Sequence, residues 1–463
     1  ITFAILFISS VIFKTHDDFS YYHFAYTYLI TQKSALIGIG QFNHGFRTPS
    51  SIFYLSSLFY LPTIKYFMFY MSPILILGFS NIVLLTKVIK NFKEKKTSFI
   101  TYLCLLSFIF INIFFYRIQE HGTDRSAQIL IFLLFVELLI FVNFNKDFTK
   151  NTNNILLLLG LVISLKAFYV LYIIFFLPIL YLLIKEKKTS IIFEVIKSKI
   201  FIFFLILFTL ILFTNFINTG CLIYPVRFTC FENFDWTISL VEVSKMNDWY
   251  EQWSKAGATP NFRVKNPEIY IQNFNWLSNW INLYFFNKVF DFILGLIFLI
   301  FVVFSFFYSG KSKKINYKKN YFLIYITLFI LLFEWFYNHP ALRYGGYCLI
   351  ALCLFFPFSI FLERFKISNE KMKKGFISLI LITIIIFTGR NIHRINQEVK
   401  KYNYKPISST YYRIDNGHFI FDELFDKIIN NHENCSKSNK TCLNDSDYKI
   451  KKFFNTYIFI NKK

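Results

Sequence analysis

Ile200-Phe-Ile-Phe-Phe-Leu-Ile-Leu-Phe-Thr-Leu-Ile-Leu-Phe-Thr-Asn-Phe-Ile217 is a run of eighteen residues without a charge, entered through Lys197-Ser-Lys199. Wound as a helix it is about 27 Å long, close to the ~30 Å hydrocarbon core of a bilayer. Runs of the same kind recur at about 1–13, 66–89, 98–116, 127–144, 154–166, 168–184, 288–308, 321–337, 341–361 and 376–389. A soluble core could not absorb them all. The expected fold is therefore an all-α polytopic membrane protein of about eleven transmembrane helices. The 154–166 and 376–389 runs are short for a span and call for local thinning, a break or protein neighbours. Because Ile1 already stands inside an apolar run, the chain is expected to begin within its first membrane helix.

Composition agrees with this class. Over 463 residues, 55% are hydrophobic, 17% are charged and the mean hydropathy is +0.45, outside the range of ordinary soluble domains. A formal charge of +23 would suit a nucleic-acid partner if it were gathered on one surface. It falls instead in short segments between apolar runs, where Lys and Arg act as topology signals, so no nucleic acid is expected. The 64 Phe and 30 Tyr, beside abundant Ile, Lys and Asn, match AT-rich coding, and aromatic stripes are given no functional meaning.

The charged linkers alternate. Lys90, Lys93, Lys95 and Lys96 share a side with Lys185, Lys187, Lys188, Lys197 and Lys199, then with Lys311, Lys313, Lys314, Lys318 and Lys319, and finally with Arg364, Lys366, Lys371, Lys373 and Lys374. By the positive-inside rule that side is cytoplasmic. The outer loops are then 14–65, 117–126, 218–287 and 338–341, within a transmembrane domain over 1–389. Residues 390–463 form a small outer-face C-terminal region. Two close cysteine pairs, Cys221/Cys230 and Cys435/Cys442, fall in segments placed outside, where disulfides persist.

Polar chemistry gathers in those outer segments. Directly after the first helix comes Lys14-Thr-His-Asp17-Asp18, whose carboxylates could serve as a general base, hold a divalent cation, or simply end a helix. Residues 20–62 read as juxtamembrane helices lying in the interface. In Arg117-Ile-Gln-Glu120-His121-Gly-Thr-Asp124-Arg125 the polar density exceeds what a turn between helices needs. Lys166, between two apolar runs, either meets an anion or reaches to the headgroups. Asn338-His-Pro-Ala-Leu-Arg343-Tyr344-Gly-Gly places an arginine, suited to phosphate, after a helix break. The five tryptophans of the 218–287 loop, Trp253 among them, read as interfacial anchors on surface helices rather than sugar platforms.

On these residues the chain resembles the GT-C superfamily of membrane glycosyltransferases, which includes protein mannosyltransferases and lipid A aminoarabinose transferases. The resemblance covers most of 1–390 and rests on short motifs. Asp17-Asp18 with the 20–62 stretch looks like the acidic pair and juxtamembrane helices of the superfamily's first outer loop. Glu120, His121 and Asp124 resemble its second-loop polar residues, Lys166 matches a lysine after a short fifth helix, and Arg343-Tyr344 is similar to a late Arg-Tyr motif. Asn218-Thr-Gly-Cys-Leu-Ile-Tyr224-Pro225 looks, imperfectly, like a turn some members show.

The resemblance implies transfer of a sugar from a polyprenyl-phosphate carrier to a glycan, lipid or protein acceptor, with inversion. Asp17 or Asp18 would be the catalytic base. Lys166 and Arg343 would bind the carrier phosphate, and Glu120, His121, Asp124, Arg125 and Tyr344 would complete the substrate site. Some members use a divalent cation and others none, so a cofactor stays open. The implied setting is a bacterial inner membrane with the site facing the periplasm. Two rival classes remain. An oligosaccharide polymerase or ligase would use outer-loop arginines such as Arg227 and Arg263. A transporter would want ionisable residues deep in helices, as only Glu137 and Glu334 are.

Overall fold

A chain inside hydrocarbon must satisfy its backbone hydrogen bonds within itself, and helices do so segment by segment. The computed structural model of the protein, which describes residues 2–11, 18–94, 98–117, 122–144, 147–258, 264–312, 321–403, 405, 414–438 and 448–461, is accordingly dominated by helices. After the short turns Thr2–Leu6 and Phe7–Ser10 come α1 (Phe24–Gln32) and strand β1 (Leu36–Ile37). The apolar helices are α2 (Met71–Lys93), α3 (Phe99–Phe114), α4 (Gly122–Phe144), α5 (Phe148–Leu165), α6 (Ala167–Lys185) and α7 (Lys199–Thr219). The polar α8 (Leu240–Lys255) precedes α9 (Leu277–Phe307), α10 (Tyr321–Asn338), α11 (Gly346–Glu363) and α12 (Asn369–Tyr402). The chain ends in α13 (Ile420–Ser438), β2 (Tyr448–Phe453) and β3 (Thr456–Asn461).

Among the described residues nine helices are long and apolar enough to cross a membrane, and the protein is a multi-pass membrane protein. The sixteen-residue α3 is shorter. Several boundaries differ from the sequence reading, the largest at α9, which starts at Leu277 and so takes the last eleven residues of the expected 218–287 outer loop. Helix α5 starts at Phe148, so it is eighteen residues long and not a short run. Helix α11 starts at Gly346, leaving 339–345 as a break. Helix α12 runs for 34 residues, about 51 Å, and so continues as helix well past 389.

Side-chain contacts show which helix ends lie together. At the lysine-rich face Asn91 Nδ2 donates to Thr101 Oγ1 (2.8 Å), Tyr321 Oη to Asn143 Oδ1 (3.1 Å) and Ser198 Oγ to Asn153 Oδ1 (3.0 Å). The opposite ends meet in the charged face described below, so consecutive spans alternate in direction. Helix α4 is central and almost wholly buried, whereas α7 is peripheral and mostly exposed. Polar pairs lock the interior: Asn81 and Asn112 exchange amide hydrogen bonds between α2 and α3 (3.0 and 2.7 Å). Lys87 Nζ lies 2.6 Å from Glu137 Oε1, whose other oxygen accepts from Asn154 at 3.4 Å.

The all-α expectation holds for the bundle but omits a small sheet. Its order is β1-β3-β2, with β1 parallel to β3 (Leu36 opposite Tyr457) and β2 antiparallel to it. The C-terminal region is thereby stapled to the first loop, where Lys33 also pairs with Asp422 (3.0 Å) and Asp426, and Phe419 packs on Tyr28. A two-residue β1 leaves no pattern in the sequence, so its pairing with β3 is not legible there.

The Lys87–Glu137 pair generates a test. Lys87→Met leaves a buried carboxylate without its cation and should cost about 3 kcal/mol, while Lys87→Met with Glu137→Leu should recover most of that loss. Unfolding titrations in mixed micelles would measure both; equal losses for the single and double variants would contradict the pairing.

Candidate active site

Two junctions between consecutive spans build the site. The first is at Lys166, whose extended backbone (φ −161°, ψ 123°) separates α5 from α6. The carbonyl of Leu165 freed there accepts from Ser50 Oγ at 2.5 Å. The second is the 339–345 break, and its backbone groups are satisfied by side chains from three helices. Trp280 Nε1 donates to Pro340 O and Trp335 Nε1 to Ala341 O, each at 2.9 Å, and Leu342 N–H donates to Tyr284 Oη at 2.9 Å. Gln128 of α4 donates to Arg343 O (2.9 Å) and accepts from Cys348 N (3.1 Å). Gly345 takes φ +110°, open to glycine but strained for other residues, and a Cβ on Gly346 would sit 2.3 Å from the Trp335 ring.

These supports present a chain of alternating charges. Lys166 Nζ lies 2.6 Å from Asp124 Oδ1, Arg343 Nε is 3.4 Å from Asp124 Oδ2, and Arg343 Nη2 is 3.6 Å from Asp18 Oδ2. Asp124 sits in the first turn of α4, where the helix dipole also favours a negative charge. Aromatic rings hold the cations in place: the Arg343 guanidinium lies over Trp253 (5.0 Å) and Tyr344 (5.2 Å), and Lys166 Nζ over Tyr344 (4.6 Å). Burial by itself would lower the Arg343 pKa, but Tyr344, Asp124 and Asp18 outweigh it and the value is raised. Burial and then Asp18 push the Tyr22 phenol well up, so it stays neutral beside the carboxylate.

His339 packs edge-on to Phe168 (5.5 Å) and Tyr344 (5.9 Å), and its buried Nδ1 makes no hydrogen bond within the described residues. Burial, then the charges of Lys255 and Lys166, push its pKa down to about 4. An outer ring of contacts holds the loops that bear Asp18 and Trp253. Buried Arg47 donates to Gly40 O (2.7 Å), Tyr224 Oη (3.1 Å) and Glu242 Oε1 (2.7 Å), tying the first loop to α8. At the far end of α8 the fully buried Lys255 meets Glu251 (2.5 Å) and Ile271 O (2.6 Å).

Of the residues singled out in the sequence, Asp18, Asp124, Lys166, Arg343 and Tyr344 come together. Arg125 does not: it donates to Arg117 O at 3.2 Å and lies over Phe115, because neighbours on a helix point about 100° apart. Asp17, Glu120, His121 and Cys442 lie outside the described residues. Cys221–Cys230 is a disulfide. Trp253, expected as an interfacial anchor, instead covers Arg343. Gln128 and His339 were not foreseen in the site; a polar Gln128 four residues after Asp124 in an apolar helix was the available signal. Among the described residues no three His, Cys, Asp or Glu assemble a metal cage, and both oxygens of Asp124 already face cations.

Two outcomes are expected. Gln128→Leu strands the Arg343 carbonyl and the Cys348 N–H, at about 1–3 kcal/mol for each buried group, and unfolding titrations should register at least the lower figure. For His339, the unfolded imidazole titrates near 6.5, so between about 6.5 and about 4 the unfolded chain holds a proton that the folded one lacks. Stability is therefore full above that window and falls as pH drops through it. His339→Phe should flatten this slope relative to the parent; identical slopes would refute the assignment.

No curated protein and no solved structure matches the chain. A family model described as "Domain of unknown function (DUF8201)" matches residues 1–350, well over half of the sequence and a stretch that contains Asp18, Asp124, Lys166, Arg343 and Tyr344. The protein belongs to this DUF8201 family.

Proposed function

We propose that the protein is a GT-C-type membrane glycosyltransferase that moves a sugar from a polyprenyl-phosphate donor to a glycan, lipid or protein acceptor. The observation that carries this reading is the meeting of Lys166 and Arg343 with Asp18 and Asp124 at one membrane face. Two cations within reach of one point suit a phosphate that gains charge as it leaves, and a carboxylate beside them suits removal of a proton from an attacking hydroxyl.

In the proposed step Asp18 accepts the acceptor's hydroxyl proton while that oxygen attacks the anomeric carbon. The bond from that carbon to the phosphate oxygen breaks, and the electron pair leaves with the polyprenyl phosphate, held by Arg343 and Lys166. Trp253 and Tyr344 back the guanidinium and leave its donors to face a carboxylate or a phosphate. Tyr22, neutral and close to Asp18, is available as a hydrogen-bond donor to the substrate.

The same reading comprises about eleven spans within 1–389, a C-terminal region over 390–463, and a site facing away from the cytoplasm in a bacterial inner membrane. Support for the sidedness comes from the lysine-rich ends lying opposite the site and from the Cys221–Cys230 disulfide on the site's own side.

The test is transfer in membranes supplied with labelled polyprenyl-phosphate sugars. Asp18→Asn should lower turnover by about 100-fold or more, with Asp17→Asn as the comparison for the adjacent carboxylate, and Arg343→Lys should lose at least tenfold through the lost planar fork. Normal transfer by folded Asp18→Asn and Arg343→Lys would end this assignment, as would the absence of transfer by the parent over a broad donor panel.

A further inference from the structure

The most exposed large side chains outside the spans include Phe453 and Phe454, at 63% and 83% exposure, in the turn joining β2 to β3. Their rings touch edge-on at 4.8 Å. Phe454 has φ +50°, a conformation that glycine or asparagine occupies in most turns and that is strained for a bulky aromatic residue. A tight turn in water favours a small or polar residue there, so a strained, exposed phenylalanine points to a surface that receives its ring.

The neighbours identify that surface. Lys451 of β2 pairs with Asp235, and Ser34 Oγ donates to Asn455 O at 3.1 Å, which fixes the hairpin beside the 231–236 segment. That segment lies against the end of α7. Phe231, Phe234 and Trp236 pack on Phe216 with centroids 5.8, 5.0 and 5.6 Å away, and Trp236 Nε1 donates to Phe216 O at 3.0 Å. Phe231 and Phe234 are themselves exposed. Helix α7 turns Ile202, Phe203, Ile206, Leu210 and Phe213 outward along its whole length, as a helix against lipid does. Exposed aromatic side chains thus extend from the lipid-facing side of α7 to Phe231 and Phe234, and the Lys451–Asp235 pair brings the hairpin alongside them. Exposed Lys449 adds a cation to the same strand, of the kind anionic headgroups attract.

We infer that the β2–β3 turn, together with Phe231 and Phe234, is seated in the interfacial layer of the phospholipid bilayer and anchors the C-terminal region to it. The consequence reaches the first loop. The same region holds Lys33 through Asp422 and Asp426, and packs His418 against Phe19, the residue after Asp18, at 6.2 Å. Seating of the hairpin fixes the height of that loop above the membrane.

The test uses the full chain in nanodiscs of phosphatidylethanolamine and phosphatidylglycerol, with a benzophenone amino acid replacing Phe454 or, in a second variant, Phe453. Irradiation followed by mass spectrometry should find covalent lipid adducts from both positions. Absence of lipid adducts in variants that unfold at the parent's midpoint, or adducts to protein alone, would overturn the inference. The readout involves no sugar transfer, so it stands apart from the proposed activity.

Discussion

The carboxylate of Asp124 is buried in the first turn of α4, and an ionised group removed from water is tolerated only where opposite charge and hydrogen bonds replace its hydration. Its two oxygens face Lys166 and Arg343, and each of these cations comes from a place where a helix stops. The neutralisation of one acid therefore draws on two helix ends. It also joins α4, the α5–α6 junction and the turn before α11 at a single point, while Asp18 extends the alternation by one more charge.

A break among membrane helices frees backbone groups that have no water to turn to. Here they are met by Trp280, Trp335, Tyr284, Gln128 and Ser50, side chains whose bodies are apolar or small and whose polar atoms are few. The indoles in particular serve two ends, since their rings pack in the bundle while their N–H groups hold carbonyls of the Arg343 turn. Arg343 is thus positioned by its own backbone rather than by the carboxylates it faces. Its contacts to Asp18 and Asp124 at 3.4 to 3.6 Å are loose enough for another anion to compete.

Above this layer the loops are clamped by buried cations of a different kind. Arg47 has three partners at 2.7 to 3.1 Å and Lys255 two at 2.5 to 2.6 Å, whereas Arg343 meets its two carboxylates only at 3.4 to 3.6 Å.

The sequence by itself determined that the chain is a bundle of membrane helices, because hydrocarbon thickness and backbone satisfaction leave an uncharged run of about eighteen residues few alternatives. It also marked Asp18, Asp124, Lys166, Arg343 and Tyr344, since a charge in apolar text is conspicuous. Only the tertiary structure decided the rest. Trp253 was hidden among abundant aromatics, Arg125 differed from Asp124 only in its direction around the helix, and the partner of β1 lay some 420 residues further along the chain. The physical reason is common to all three: periodicity and charge are local properties that a linear text displays, whereas the direction of a side chain and the meeting of distant segments follow from packing.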